Sequence, residues 1–400
     1  MDRHLNIISF DVPFPANYGG VIDVFYKVKA LADLGVKVHL HCFEYGRKEA
    51  RELNAICASV HYYKRHISKG YLFRRKPYIV VTRTCSELIR RLLLNHHPIL
   101  FEGLHTCFCL DDERLAKRFK IVRTHNVEHD YYRNLAQAEK GFFKKYYFLN
   151  EVGKLERFER MLCNAQAVAA ISKADAEYFN DRYPNVHHIS AFHPNDRVRI
   201  NDGRGRFCLY HGSLEIAENN QAALYLIRQV FADLPIPLII AGNHPSKELR
   251  ELAAEHEHVE LRTGIDTGQI HQLISEAQIN ILPTFQATGI KLKLLAALYL
   301  GRHCVVNSHM VRNTGLEPLC RVEDSEKRMQ DAVKALFTTD FDPVEISKRE
   351  AILGSQFCNR VTAGKLYSLI YSCDAPADAM HPFYDVAEQR RATTKPVHPQ

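Results

Sequence analysis

The chain has 400 residues, 46% hydrophobic and 25% charged, with a formal net charge of +7. That length exceeds one ordinary hydrophobic core and implies two domains, and the balance excludes an intrinsically disordered chain. No apolar run is long enough to span a membrane, and MDRHLNIISFDVPFPANYGG lacks the apolar core and cleavage site of a signal peptide, so a cytoplasmic chain is expected.

In chain order, short apolar runs alternate with helical periods. Leu5–Phe10 predicts a strand and Gly19–Leu34 an amphipathic helix; Lys37–Phe43 and Ala58–Tyr63 predict the next two strands. A basic run follows from Lys64 to Arg91, in which Arg74, Arg75 and Lys76 are interleaved with Tyr71, Phe73 and Tyr78. Residues 1–200 hold 32 Lys and Arg against 22 Asp and Glu, a net of +10, while the remainder is net −3. A basic, aromatic surface suits anionic lipid or a charged acceptor; a solvated face is the plain alternative. No nucleic-acid-binding signature accompanies it, so no nucleic acid is expected.

A helix over Ser86–Leu94 and strands at Ile99–Glu102 and Lys120–Thr124 come next, then one long or broken helix over Glu139–Cys163. Ala167–Ile171 predicts a strand, Lys173–Asn180 a helix capped by Ser172, and His188–Phe192 the last strand of this half. PNDRVRINDGRG, Pro194–Gly205, is polar and turn-rich and predicts a linker. The alternation then repeats: strands at Phe207–Tyr210, Leu238–Ala241 and Val259–Arg262, helices at Asn219–Phe231, Lys247–Glu255 and Gly268–Ala277. Glu345–Tyr371 predicts a terminal helix, broken near Gly354, followed by a mobile tail from residue 374. Two such runs imply two doubly wound parallel sheets, about 1–197 and 206–340. Eleven cysteines show no CxxC pair, only the CxC of Cys107 and Cys109, which predicts reduced thiols and no zinc site.

The segment ILPTFQATGIKLKLLAALYLGRHCVVN, from Ile281, reads strand, turn, helix, glycine stop, strand. Gly289 allows close backbone approach, and Lys291 and Lys293 fall in the helix's first turn, against the dipole. A phosphate there would compensate them; solvated lysines are the alternative. Ligands of doubly wound sheets bind beyond the carboxyl ends of the strands. Three loops lie there: Asp11–Gly20, His125–Asp130 and His211–Asn219. Two sheets facing each other would pool them into one cleft. His105, Glu102 and Glu128 lie at the same edge and could orient or activate an acceptor; a loop histidine and surface or capping carboxylates are the plain alternatives. His125, Glu128 and His129 also satisfy the HxxEH pattern of a zinc peptidase, which would require both histidines on one helix face and a third ligand.

Four segments, in this order, resemble the retaining, GT-B-fold glycosyltransferases of group 1, of bacterial surface-polysaccharide type. They are DVPFPANYGGVIDVFYKVKALADLGVKVHLHCF, RTHNVEHDYY, HGSLEIAENNQAAL and TGIKLKLLAALYLGRHCVVN. The resemblance covers about residues 5–340. It implies two Rossmann-like domains across a cleft, with a terminal helix (341–373) packing back on the first. It also implies a hexosyltransferase that moves sugar from a nucleotide-sugar to a saccharide or lipid-linked acceptor with retention, using neither metal nor cofactor. By the same resemblance Gly19 and Gly20 approach the donor, and His125 bonds the donor sugar near the reaction centre. Gly212 and Ser213 border the diphosphate, and Thr288, Gly289, Ile290, Lys291 and Lys293 hold diphosphate and sugar. His105, Arg74, Arg75 and Lys76 fall on the acceptor side, which could face an anionic membrane surface on the cytoplasmic leaflet. Many relatives carry paired glutamates where this chain has Thr288 and Ala296, and an Arg and Lys absent from HGSLEIAENN. A catalytically impaired sugar-nucleotide-binding scaffold therefore stands as an alternative, as does a sugar-nucleotide epimerase on the same fold.

Overall fold

In the first half, alternate strand residues are buried on opposite faces of one sheet. Ile7, Leu40, Leu100, Ile121 and Ala169 enter one core; Ile8, Phe43, Phe101, Val122 and Val168 enter the other. Near-continuous apolar strands of this kind suit a parallel sheet covered on both sides. The structure, a computed structural model, describes residues 2–139, 141–201, 203–285 and 292–371.

The first sheet has seven parallel strands in the order β3-β2-β1-β4-β5-β6-β7. They are β1 (His4–Ser9), β2 (Lys37–Glu44), β3 (Ser59–Lys64), β4 (Ile99–Glu102), β5 (Lys120–Thr124), β6 (Ala167–Ala170) and β7 (Val186–His188). The second has six, β10-β9-β8-β11-β12-β13. These are β8 (Cys208–His211), β9 (Leu238–Ala241), β10 (Val259–Arg262), β11 (Ile279–Ile281), β12 (His303–Val306) and β13 (Arg321–Val322). In both sheets the first strand of the domain is central and the order reverses beside it, between β1 and β4 and between β8 and β11. Crevices at such reversals are where ligands of these sheets bind.

Several predicted boundaries move. The last strand of the first half is Val186–His188, so His188–Phe192 is only its end; Ile189 to Phe192 instead run past Arg123 and Asp23, which bind their backbone. The helix expected over Glu139–Cys163 is Phe142–Glu159 with the short helical turn Arg160–Asn164 after it, and a separate helix, Glu128–Ala138, precedes it, so the loop expected at His125–Asp130 already contains a helix start. No strand or helix occurs among the described residues between 189 and 207.

The terminal helix breaks at residues 357–358, later than Gly354. Helix Pro343–Gln356 stays with the second domain, where Arg349 donates to the carbonyls of Leu298, Gly301 and Arg302. Helix Asn359–Tyr371 crosses to the first, burying Ala363, Leu366, Tyr367 and Ile370 beside helix Gly19–Asp33. At the crossing, His193 Nε2 lies 2.7 Å from the Phe357 carbonyl, and Asn359 Nδ2 donates to the His193 carbonyl at 2.7 Å. The two crossings thus lie side by side. The tail from 374 lies outside the described residues, as do Thr288, Gly289, Ile290 and Lys291.

Candidate active site

The loops after β1, β4 and β5 meet at one edge of the first sheet. Gly20 is the second residue of the helix Gly19–Asp33, and a Cβ there would stand 2.6 Å from Phe10 Cζ, so a side chain at 20 would displace that ring. Gly19 is exposed and open. Phe10 lies edge-on to the His125 ring at 5.5 Å and tilted against His105 at 5.3 Å. Arg83, itself buried, donates to the Phe10 carbonyl at 2.9 Å and to that of Ile79 at 2.7 Å. Burial lowers its pKa to about 9.

Behind His125 runs a buried ionic chain. Its Nε2 is 3.0 Å from Glu102 Oε2. Lys27 Nζ lies 2.8 Å from carboxylate oxygens of both Glu102 and Asp23. Arg123 donates to Asp23 Oδ1 at 2.9 Å and to the Ser190 carbonyl at 2.9 Å. Asp23, Lys27, Glu102 and Arg123 are all 0% exposed, so every charge needs a partner, and each has one. Burial pushes the Asp23 carboxyl up, but Arg123 and Lys27 outweigh it and hold it well below the usual range. Where Nε2–H donates to a Glu102 oxygen, the Nδ1 of the neutral imidazole is left as the acceptor.

Local geometry explains the gathering. Asp23 and Lys27 are four apart on one helix face. Glu102 ends β4, and Arg123 and His125 are two apart where β5 ends, hence on the same side. Ligand atoms of Asp23, Glu102 and His125 lie within 4.8 Å of one another. The Lys27 ammonium already stands against both carboxylates, so this group does not fit a metal ion.

The zinc-peptidase pattern also fails on geometry. His125 turns to Glu102, whereas His129 Nδ1 is 3.2 Å from Glu159 Oε2. The two histidines therefore have separate buried partners. Glu128 is 3% exposed; burial first, and then Asp175, push its carboxyl up to about 8. Burial likewise raises Asp175 to about 6. His105 is half-buried against Phe10, its Nδ1 has no hydrogen-bond partner, and burial holds its pKa well below the ordinary value. Arg74, Arg75 and Lys76 are exposed, after the short helical turn Lys69–Phe73.

In the second domain, Gly212 and Ser213 follow β8. A Cβ on Gly242, after β9, would fall 1.9 Å from the Gly212 carbonyl oxygen, so these two turns pack backbone to backbone. Asn219, in helix Ala217–Tyr225, closes the loop by donating to the Ser213 carbonyl at 3.0 Å. Lys293, near the start of helix Leu292–Leu300, donates to Asn219 Oδ1 at 2.9 Å, its ammonium 5.1 Å from the Tyr210 ring centroid. Thr284 and Asn307 tie the ends of β11 and β12 through bonds of 3.1 and 2.7 Å, and the Thr284 hydroxyl donates to Glu218. The sequence-predicted Gly212, Ser213 and Lys293 thus come together. Ala296 is buried.

Burial, then Glu128, then Glu218 raise the pKa of the Tyr131 phenol, and Glu218 belongs to the second domain. Sequence reading missed Asp23, Lys27, Arg123, Glu218 and Asn219. The available signal was two charged residues, four apart, among Val21, Val24, Val28 and Leu31 on the buried face of an apolar helix.

Residues 205–339 match the family model described as "Glycosyl transferases group 1". The chain is 26% identical over 310 residues, 73% of its length and 79% of the relative's, to an "Uncharacterized 44.6 kDa protein in cps region" of Klebsiella pneumoniae. Among solved structures it resembles TarM, with TM-score 0.65 and 10% identity, covering 93% of this chain and 99% of that one. A glycosyltransferase from Rickettsia africae gives TM-score 0.62 and 11% identity, covering 93% and 100%. A S. aureus TarM mutant in complex with fondaparinux, α-GlcNAc-glycerol and UDP gives 0.62 and 9%, covering 92% and 100%. The fold is GT-B, and residues 205–339 are similar to group 1 glycosyl transferases.

Proposed function

We propose that the chain transfers a hexosyl group from a nucleotide-sugar to a saccharide or lipid-linked acceptor, with retention and without a metal or cofactor. The observation that carries this reading is the pairing of two sites. His125, held on Glu102 and Lys27, stands at the carboxyl edge of the first sheet, the Gly212–Ser213 and Lys293–Asn219 cluster stands after the first strand of the second, and the donor is taken to lie between them. The nucleotide diphosphate lies against the second cluster. There the N–H groups around Gly212 and the Lys293 charge, with Thr288, Gly289, Ile290 and Lys291, stabilise negative charge as the bond from the sugar's anomeric carbon to phosphate breaks. Gly19 and Gly20 let the first domain's backbone close on the donor. His125 Nδ1 accepts a hydrogen bond from a sugar hydroxyl. The acceptor oxygen forms the new bond on the same face, and its proton passes to the departing diphosphate, so no protein base is required.

The acceptor reading rests on one exposed surface. Phe142 and Phe143 are 78% and 88% exposed beside Lys144 and Lys145, and Phe73 is 90% exposed beside Arg74, Arg75 and Lys76. Lys154 Nζ, further along the helix that begins at Phe142, donates to the Leu72 carbonyl at 2.6 Å and ties that helix to the segment before Phe73. Such a surface suits an anionic leaflet carrying a lipid-linked acceptor, reached peripherally from the cytoplasm. His105 reaches the acceptor only through Phe10. A second reading, a sugar-nucleotide-binding scaffold without turnover, is favoured by Ala296, which leaves no carboxylate for the ribose.

The test combines a thermal-shift panel of nucleotide-sugars with a hydrolysis assay on the one that binds. Donor hydrolysis that survives EDTA is expected, as is a Lys291→Ala variant weaker in donor binding or turnover by about ten- to hundredfold. Binding without hydrolysis or transfer selects the scaffold. Conversion of the donor sugar without an acceptor selects an epimerase. Loss of activity in EDTA with recovery in Mg²⁺ or Mn²⁺ defeats the metal-free mechanism.

A further inference from the structure

The opposite, amino-terminal end of the first sheet carries an unusual face. β2 reads KVHLHCFE, and alternation sends Val38, Leu40 and Cys42 to one core while His39 and His41 share the other face with Phe43. The register sets Asn6 and Ser59 beside His39, and His61 beside His41. His4 is on this face too, two residues before Asn6.

Three of these imidazoles converge. His4 Nδ1 lies 3.0 Å from His39 Nε2. His97, in the turn before β4, brings its ring centroid 4.5 Å from that of His4 and 5.4 Å from that of His39. One ring nitrogen of each lies within 4.8 Å of the other two. The frame around them is fixed. His39 Nδ1 is 2.9 Å from Ser59 Oγ, which leaves Nε2 turned to the group. Arg118 pins the His97 turn by donating to the carbonyls of Leu92, Asn95 and His97 at 2.8, 2.9 and 2.7 Å. Asn6 Nδ2 donates to Asn95 Oδ1 at 3.0 Å.

We propose that His4, His39 and His97 bind one divalent transition-metal ion of the zinc class, with water in the fourth position. Three neutral imidazoles without a carboxylate suit such an ion and not an oxygen-seeking Ca²⁺ or Mg²⁺. Tetrahedral Zn–N bonds of about 2.0–2.1 Å separate ligand nitrogens by roughly 3.3 Å, close to the His4–His39 spacing. The rings stand within 6–13° of parallel, so binding turns them about their Cβ–Cγ bonds until the lone pairs meet. The ion clips β1, β2 and the turn before β4. It does so where the last helix docks, since Tyr371 donates its hydroxyl to the His4 carbonyl at 2.9 Å.

The test uses the full chain, stripped with EDTA and titrated with Co²⁺ and then Zn²⁺. One equivalent of Co²⁺ should give the visible bands of a four-coordinate ion, displaced by Zn²⁺. His39→Ala and His97→Ala should each weaken Zn²⁺ binding by more than about tenfold, while His309→Ala, at an exposed site, should not. His97 lies in a turn, so its variant keeps the test open if His39→Ala fails to fold. The absence of the Co²⁺ bands overturns the proposal. So does unchanged Zn²⁺ affinity in a folded His97→Ala protein, which would leave the three rings as a hydrogen-bonded cluster.

Discussion

At the scale of single residues, the first domain's ligand-facing edge is built on charge taken out of water. Lys27 and Arg123 balance Asp23 and Glu102 with no exposed surface at all, and losing one partner of such a set typically costs about 3–5 kcal/mol. The set is therefore a frame for His125 before it is anything else. Glu128 is the opposite case, a carboxyl raised by burial and Asp175 with no cation dominating it. In the unfolded chain this group loses its proton near pH 4.5; in the folded chain it keeps it to about 8. The folded state binds the extra proton across that window, so stability falls as pH rises from about 4.5 through 8. Urea unfolding of Glu128→Gln at pH 5, 6.5 and 8 should show a flatter profile than the parent. The variant's advantage should be largest at pH 8, with an upper bound of roughly 4–5 kcal/mol. Equal slopes in the two proteins would refute the assignment.

At the scale of elements, the helix Phe142–Glu159 divides along its length. Leu155 and Phe158 enter the core, whereas Phe142, Phe143 and Tyr146 stay exposed with Lys144 and Lys145. Phe142 and Phe143 are largely exposed, so replacing them by Ser should shift stability by no more than about 0.5 kcal/mol each. On the membrane reading, sedimentation with anionic vesicles at low salt should drop in that variant and in one carrying Ser for Arg74, Arg75 and Lys76. Donor hydrolysis should be unchanged in both. An unaltered vesicle-bound fraction, or no binding by the parent protein, would point to a soluble acceptor. The basic-aromatic composition of these segments is plain in the sequence. Their adjacency is not, because it depends on Lys154 reaching Leu72 across 82 residues of chain.

At the scale of the whole molecule, the chain crosses between domains twice, and the second crossing completes the first core. A truncation after Phe357 removes Ala363, Leu366, Tyr367 and Ile370 from beside helix Gly19–Asp33. Each large apolar side chain contributes about 1.5–3 kcal/mol on burial, a sum comparable to the stability of a domain. The truncated protein should therefore be insoluble or melt far below the parent. A variant as stable as the full chain by calorimetry would show the last helix to be dispensable.

The strands were legible because parallel sheets bury both faces, which leaves short apolar runs that stand out between polar turns. Periodicity likewise marked the helices Gly19–Asp33 and Lys173–Asn180. The glycines at 20 and 212 were singled out through the family resemblance, and a side chain there would press on the Phe10 ring and on Asn219 respectively. Helix Glu128–Ala138 was hidden, since Glu128 and His129 are buried polar residues that break an apolar period. The ionic chain behind His125 and the triad of His4, His39 and His97 were equally hidden. Each draws residues from three or more segments, up to 100 positions apart for Asp23 and Arg123. Sequence alone therefore determined the order and class of the elements, which depend on local pattern. Only the tertiary structure decided which charges neutralise each other and which loops meet at one sheet edge, because those pairings arise when distant strands are set side by side.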